Sequence, residues 1–289
     1  TVSPGLLFSW VMLALVLTFL LAPIVITMAV SFTDAAVFSF PPKGFSLRWY
    51  ERALQIPELM SSVWLSAQIA LFSTLISLVL GTLCAIALVR RELPGSEAIS
   101  TFLLSPLMLP GLVLGIATLQ AAREFGLRDT YTTLLLAHVI ITMPFVMRTV
   151  LSSLSQFDFS MIDAARMLGL SQTRAIWKVM VPNILPGFFS GALFAFIASF
   201  DNYPISMFLV DVRTKTLPIT MLNQIEMSPD PTLAVVSVLL VLATVAALLL
   251  CDRLVGLRRI ASVGQPLRPA IGRAATDLSV RKILRDVPY

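Results

Sequence analysis

Charge and reactive side chains are scarce in this chain. One histidine and two cysteines occur among 289 residues, and Asp, Glu, Lys and Arg together make up 13%. A soluble domain carries about 25% charged and roughly 45–50% apolar residues. Here the apolar share is 57% and the mean hydropathy +0.89. That balance excludes an ordinary water-soluble domain and describes a chain that crosses a lipid bilayer several times. Cys84 and Cys251 each lie inside an apolar run without a second cysteine nearby, so neither a disulfide framework nor a thiolate metal site is indicated. An intramembrane enzyme needs a nucleophile with a base, or a metal set, inside its spans. With one histidine and no His-Glu-x-x-His pattern, that set is missing. No Gly-x-x-x-x-Gly-Lys-Ser/Thr loop is present, so the chain does not hydrolyse ATP alone. No internal repeat is visible, parallel or inverted, although secondary transporters often carry one. Its absence favours a half-transporter that pairs with a second subunit.

What is present is a series of long apolar runs. A spanning helix needs about 20 mostly apolar residues, and six runs qualify, near 6–30, 62–89, 98–121, 131–151, 184–210 and 232–252. The first is too long for a signal-peptide core and has neither a basic region before it nor a small-residue cleavage site after it, so it reads as a retained helix. The net charge of +5 sits in loops that flank the runs, a membrane pattern rather than a nucleic-acid one. With the loops on alternate sides, 14 Lys and Arg fall on the face that carries both termini and the 152–183 loop, and 7 on the other. The positive-inside rule puts the richer face in the cytoplasm. The segment 31–60 is then the largest outer loop, with order expected around Phe38–Pro42 and Trp49, and 211–230 is a second. Residues 264–289 form a basic cytoplasmic tail, solvated or partly helical, or in contact with anionic lipid or a partner.

The 152–183 loop contains an unusual mixture. Residues 163–168 and 172–179 are helix-compatible, and Gly169 between them permits a sharp turn. Asp163 stands at the start of the first stretch, where an acid suits the positive end of the helix dipole. Ala164 and Ala165 are small enough to admit another surface closely. Leu168, Leu170, Ile176 and Trp177 are apolar in a segment that should be wet. Two readings follow: a docking surface, or an amphipathic helix lying on lipid headgroups.

Proline and glycine cluster inside three runs: Pro106, Pro110, Gly111 and Gly115 in the third, Pro144 in the fourth, and Pro186, Gly187, Gly191 and Pro204 in the fifth. Broken helices are tolerated at membrane depth where they face protein or a water-lined cavity, though membrane helices are in any case richer in these residues. The fifth run ends in Ser199-Phe200-Asp201-Asn202-Tyr203-Pro204. A charge at the bilayer centre costs about 2.5–3.5 kcal/mol on insertion scales, so Asp201 faces either a polar path or the outer headgroups. His138, alone in its run, is a functional candidate by depth or a plain interhelical hydrogen bond.

The spacing Asp163-Ala164-Ala165, Gly169, Val179 and Val181-Pro182 resembles the cytoplasmic coupling loop of ATP-binding-cassette (ABC) importer permeases. Asp replaces the usual Glu at its first place. With the six-run layout, Ser199-Phe200-Asp201, Thr216-Leu217-Pro218 and Asp230-Pro231, the likeness narrows to the spermidine/putrescine type and covers about residues 6–255. The resemblance implies an all-α, six-helix type I permease fold over 1–263, with a cytoplasmic coupling helix, in the bacterial inner membrane. It implies a second homologous permease, two copies of a cytoplasmic ATPase that hold ATP and Mg, and a periplasmic or lipid-anchored substrate-binding protein. No cofactor falls to this chain, and no nucleic acid is involved. Coupling to the ATPase would rest on Asp163, Ala164, Ala165, Gly169, Leu170 and Pro182. The substrate path would use Ser199, Asp201, Asn202 and Tyr203, with Trp49 from the outer loop. Two places depart from the polyamine pattern: Gly111 where an acid often follows the third-run proline, and Asp201-Asn202 where Asp-Asp is usual. An amino-acid-like or opine-like solute is therefore the alternative, and an ATP-independent channel or secondary transporter a remote one.

Overall fold

The computed structural model describes residues 4–89, 94–227 and 229–255. Among them every regular element is helical. Five helices are long and apolar enough to cross a membrane, and a bent pair makes six if it counts as one span. The unbroken ones outside the fifth span are α1 (Pro4–Ser31), α3 (Pro57–Val89), α6 (Thr130–Ser155) and α12 (Thr232–Val255).

The third span is corrected. Instead of one helix over 98–121, α4 (Ser96–Leu104) runs into a 3-10 turn at Ser105–Leu107, and α5 (Gly111–Glu124) leaves it at 102°. Pro106 and Pro110 have no N–H and a fixed φ, so the helix ladder fails twice within five residues. The fifth span is also shifted from the expected 184–210: one continuous helical stretch covers Gln172–Phe200. Within it, α8 (Gln172–Ala175) passes through a π-helical turn at Ile176–Met180 into α9 (Val181–Phe200). Pro182 cannot donate to the Lys178 carbonyl and its ring crowds that oxygen, which widens the turn just before it. The Asn183 side chain donates to the Val179 carbonyl at 2.6 Å and covers part of the loss.

The core is the trio α3, α6 and α9. Alongside Leu59, Ile69, Leu78 and Leu88, the buried positions of α3 include the small residues Ser62, Ser66, Ser73, Ser77, Gly81 and Ala85, spaced four or seven residues apart. Without a hydrophobic drive between helices in lipid, small residues let backbones approach and gain dispersion contact. A side-chain carbon at Gly81 would stand 3.0 Å from the Met143 carbonyl and the Met147 nitrogen. At Gly187 it would stand 2.6 Å from the Thr149 carbonyl, and at Gly191 3.0 Å from the Val146 Cα. The glycines of the fifth span therefore seat α9 on α6; they are packing residues, not bends. Val146, Met147, Val150, Leu154, Ile184 and Ala195 fill the space between.

At the end of the bundle that the charge bias assigns to the outside, hence termed outer, α2 (Arg48–Gln55) and α11 (Leu217–Met227) lie within the two loops. Trp49, Ala53, Leu59, Leu217 and Val235 form a second buried cluster there. Lys215 pairs with Glu58 at 2.9 Å, Arg52 meets Asp230 at 3.5 Å, and the Leu217 amide donates to Ser66 Oγ at 2.8 Å. One compact unit runs to Cys251 and a second begins at Asp252, of which only the last turn of α12 is described. The expected boundary at 263/264, the 264–289 tail, and Arg90 and Arg91 lie outside the described residues.

Candidate functional site: an inner turn and an outer break

The sequence-derived candidates fall into two neighbourhoods, one at each end of the α8–α9 helix. At the end expected from the charge bias to face the cytoplasm, hence termed inner, α7 (Ser160–Met167) precedes the turn. Asp158 starts it by accepting the Ser160 amide at 2.9 Å. Hydrogen bonds from the Ser160 side chain and then its amide hold the Asp158 carboxyl below the usual carboxylate range. Asp163 sits in the first turn of α7, as expected, and faces Arg166 at 3.7 Å.

The end of α7 is closed by backbone alone. Gly169 has φ +90, a left-handed value that costs a side-chain-bearing residue free energy. The Gly169 amide donates to the Arg166 carbonyl at 2.9 Å and the Leu170 amide to the Ala165 carbonyl at 3.2 Å. These are the paired reversed bonds of a Schellman cap. With the backbone satisfied, the side chains around it remain available. Met167 is 88% exposed, Leu168 84% and Trp177 67%. The expectation of two small residues open to a partner is half corrected. Ala164 is exposed, but Ala165 turns inward and packs with Ile162, Ala175 and Met180. Leu170 and Ile176 are likewise half-buried against that core rather than displayed. The 3.6-residue period of α7 explains the split: Ile162 and Ala165 share one face and Ala164 with Met167 another. Pro182 lies in the spanning helix itself, beyond the turn.

At the outer end, α9 stops at Phe200. The break Asp201–Ile205 leads into the short α10 (Ser206–Leu209). Asn202 Oδ1 accepts the Ile205 amide at 3.1 Å, and Ser206 Oγ donates to the Asn202 carbonyl at 2.7 Å. The Tyr203 hydroxyl donates to Met207 Sδ at 3.2 Å. Asp201 is exposed, while Asn202 and Tyr203 are half-buried. The break of the third span comes to meet this one. A side-chain carbon at Gly111 would lie 2.9 Å from Pro204 Cβ, and one at Gly115 would lie 3.2 Å from the Cα and carbonyl oxygen of Ile205. The structure thus brings Gly111 of the third-run cluster against Pro204 of the fifth-run cluster, 93 residues later in the sequence.

Two path candidates are corrected. Ser199 is buried, not open to a cavity. Its Oγ lies 3.1 Å from Ser73 Oγ, which donates to it, and 2.7 Å from His138 Nδ1. Trp49 is buried in the α2–α11–α12 cluster, with the Arg48 and Arg52 guanidiniums 4.7 and 5.4 Å from its ring centroid. The amphipathic α2 lays its apolar face on the bundle, and Trp49 is that face. His138 proves to be an interhelical hydrogen-bonding group, its Nε2 reaching Ser206 Oγ at 3.1 Å. Two things escaped sequence reasoning. Met167 stood in the motif string, but only the helical phase set by Ile162 and Ala165 marks it as outward. The link from His138 to Ser206 spans 68 residues, and no local pattern announces such a pair.

Comparison with known proteins agrees with this layout. Residues 77–257 match the family model described as a binding-protein-dependent transport system inner membrane component. The spermidine/putrescine transport system permease protein PotC of Haemophilus influenzae is 31% identical over 235 residues, covering 81% of this chain and 91% of that one. The putrescine transport system permease protein PotI of Escherichia coli K12 is 31% identical over 228 residues, covering 76% and 81%. Among solved structures, a bacterial ABC transporter that imports the acidic polysaccharide alginate superposes with a TM-score of 0.62 at 18% identity, over 86% of this chain and 94% of that one. The MetNI methionine ABC transporter, in an inward-facing form, gives 0.56 at 21% identity over 70% and 96%. At those identities the two structures speak for the fold alone. The chain belongs to the family of binding-protein-dependent inner-membrane transport components, the non-enzymatic permease subunits of ABC importers with the type I fold.

Proposed function

We propose that this permease forms half of the translocation path for a small cationic solute, with putrescine or spermidine first in rank. The observation that carries the reading is the exposed Asp201 at the junction of the two helix breaks, together with relatives whose names specify polyamine transport. A carboxylate there attracts an ammonium group and replaces part of its lost hydration. Asn202 spends its carbonyl on the Ser206 hydroxyl and its Oδ1 on the Ile205 amide, so its side-chain amide protons stay available next to Asp201.

The inner end supports coupling. The exposed Met167, Leu168 and Trp177 beside Ala164 suit insertion into a groove of a separate ATPase that binds ATP and Mg. A second permease completes the path, and a periplasmic or lipid-anchored binding protein delivers the solute. Both termini and the α7 turn then face the cytoplasm, and α2 and α11 the outer side. The second reading, an amino-acid-like or opine-like solute, draws on one feature: Pro204 occupies the space at Gly111 that an additional acid would need. That leaves a single carboxylate at the junction among the described residues, less than a polycation usually requires.

Reconstitution of the full assembly in vesicles tests the proposal. Uptake of putrescine, spermidine and a zwitterionic amino acid is compared for wild type and Asp201→Asn. A charge-assisted bond contributes about 1.5–3 kcal/mol, so cation uptake should fall on the order of ten- to a hundred-fold. Unchanged cation uptake in the variant removes Asp201 from the path.

A further inference from the structure

His138 is buried in the helix trio, yet its two ring nitrogens reach the two sides of one interruption. Nδ1 stands 2.7 Å from Ser199 Oγ, near the last turn of α9, and Nε2 stands 3.1 Å from Ser206 Oγ, the first residue of α10. Between these two serines lies the break Asp201–Ile205. The proton inventory fixes the direction of the chain. The Ser206 hydroxyl has one hydrogen and gives it to the Asn202 carbonyl at 2.7 Å. With that bond made, Ser206 Oγ accepts from His138, and the tautomer assigned on this ground carries its proton on Nε2. A neutral imidazole then offers Nδ1 as an acceptor. The Ser199 hydroxyl donates to it and itself accepts from Ser73 Oγ at 3.1 Å. The polar chain runs from α3 through α9 and α6 to the carbonyl inside the break, and each hydrogen has an acceptor. Thr142 Oγ1, one turn along α6, donates to the His138 carbonyl at 2.7 Å and lies 2.7 Å from Ser77 Oγ, which anchors the same stretch of α6 to α3.

We propose that His138 is a positioning residue that clasps both ends of the outer break, and that its Nε2–H bond to Ser206 sets where Asp201, Asn202 and Tyr203 stand. The clasp does not touch solute. It fixes the frame on which the break is hung, while Gly111 and Gly115 of α5 close against Pro204 and Ile205 on another side. The link to solute handling rests on the reading of Asp201 as a path residue; the clasp itself does not.

Two isosteric substitutions separate the halves of the clasp. In His138→Asn the amide falls near the Nδ1 place, which keeps the Ser199 contact and loses Ser206. In His138→Gln the amide falls near the Nε2 place, which keeps Ser206. The readout is the rate at which a water-soluble thiol reagent modifies Tyr203→Cys in the assembled transporter, with Cys84 and Cys251 replaced by Ala. Loss of one buried hydrogen bond should raise that rate about five-fold in His138→Asn and leave it near the parent in His138→Gln. Ser206→Ala, which leaves the α6 packing whole but also removes the bond to the Asn202 carbonyl, should raise the rate at least as much as His138→Asn, and the double variant should add little to Ser206→Ala, as coupled groups do. Uptake should follow with a higher KM for His138→Asn than for His138→Gln. Equal labelling in the Asn and Gln variants, or a silent Ser206→Ala, overturns the clasp whatever Asp201 does. Unchanged uptake in Asp201→Asn with the labelling contrast intact sinks the path reading and leaves the clasp standing.

Discussion

The α8–α9 helix has an interruption at each end, and the two are closed by opposite means. At the inner end, backbone bonds around Gly169 satisfy the chain, and Met167, Leu168 and Trp177 are left outside. At the outer end, side chains do the closing: Asn202 and Ser206 bond the backbone of the break, and Ser199 and His138 bond each other. A turn that needs only glycine leaves its side chains available for a partner. A break that consumes its own polar groups becomes fixed in shape and leaves one charge, Asp201, uncommitted. The first arrangement suits a contact surface that must be pushed and pulled, the second a rigid polar corner for a solute.

The largest effect should come from the seam both ends share. Gly187→Leu drives a side chain into the Thr149 carbonyl of α6, and overpacking typically costs about 1–3 kcal/mol or more. The thermal midpoint of the purified subunit should fall and both ends should fail together. A midpoint equal to wild type contradicts the packing role of this glycine.

Next comes the inner turn alone. Gly169→Val forces a β-branched residue to φ +90, a strain of about 1–3 kcal/mol. ATP-coupled uptake should drop roughly tenfold or more while membrane insertion stays normal. Full coupling in this variant removes the turn from the account.

A smaller, purely geometric comparison concerns sidedness. Cysteines at Lys43 and Val212 should label from outside intact cells only, and cysteines at Gly95 and Thr173 from inside only. Outside labelling at Thr173 would reverse the two ends.

The smallest effect lies at the start of α7. Asp158 titrates below the usual carboxylate range because Ser160 hydrogen-bonds its ionised form. A depressed folded value means that this support is present above the unfolded value, about 3.9, and is lost as pH falls through the folded one. Amide exchange at Met161 and Ile162 should rise a few-fold in Asp158→Ala at neutral pH, and the difference should vanish in acid below that range. Equal exchange at neutral pH dismisses Asp158 as an anchor.

The spans, the inner turn and the two clusters of helix breakers were legible because each is a local pattern. A run of about 20 apolar residues, a glycine after a helical stretch, or two prolines four residues apart announces itself. What was not legible depended on helical phase or on distant partners. Ala164 and Ala165 look alike in sequence, and only the packing of Ile162 and Ala175 separates the outward one from the inward one. Trp49 reads as a loop aromatic until α2 turns it onto Leu217 and Val235. Ser199 reads as a path hydroxyl until Ser73 and His138 claim it. Gly187 and Gly191 read as bends because a glycine that bends and a glycine that packs leave the same letter. The fifth span begins before its expected start because the helix-compatible stretch 172–179 continues into the apolar run by way of a π-helical turn rather than ending in a loop.

The division of labour between the two ends is tested most directly by one paired assay on reconstituted transporter. ATP hydrolysis stimulated by loaded binding protein and the uptake ratio of a cation to a zwitterion are measured together for Leu168→Asp and Asp201→Asn. Leu168→Asp should lower stimulated hydrolysis several-fold, the cost of placing a charge in an apolar contact, with the uptake ratio unchanged. Asp201→Asn should shift the ratio against the cation by ten-fold or more, with basal hydrolysis unchanged. If each substitution moves both quantities alike, the two ends do not carry separate functions.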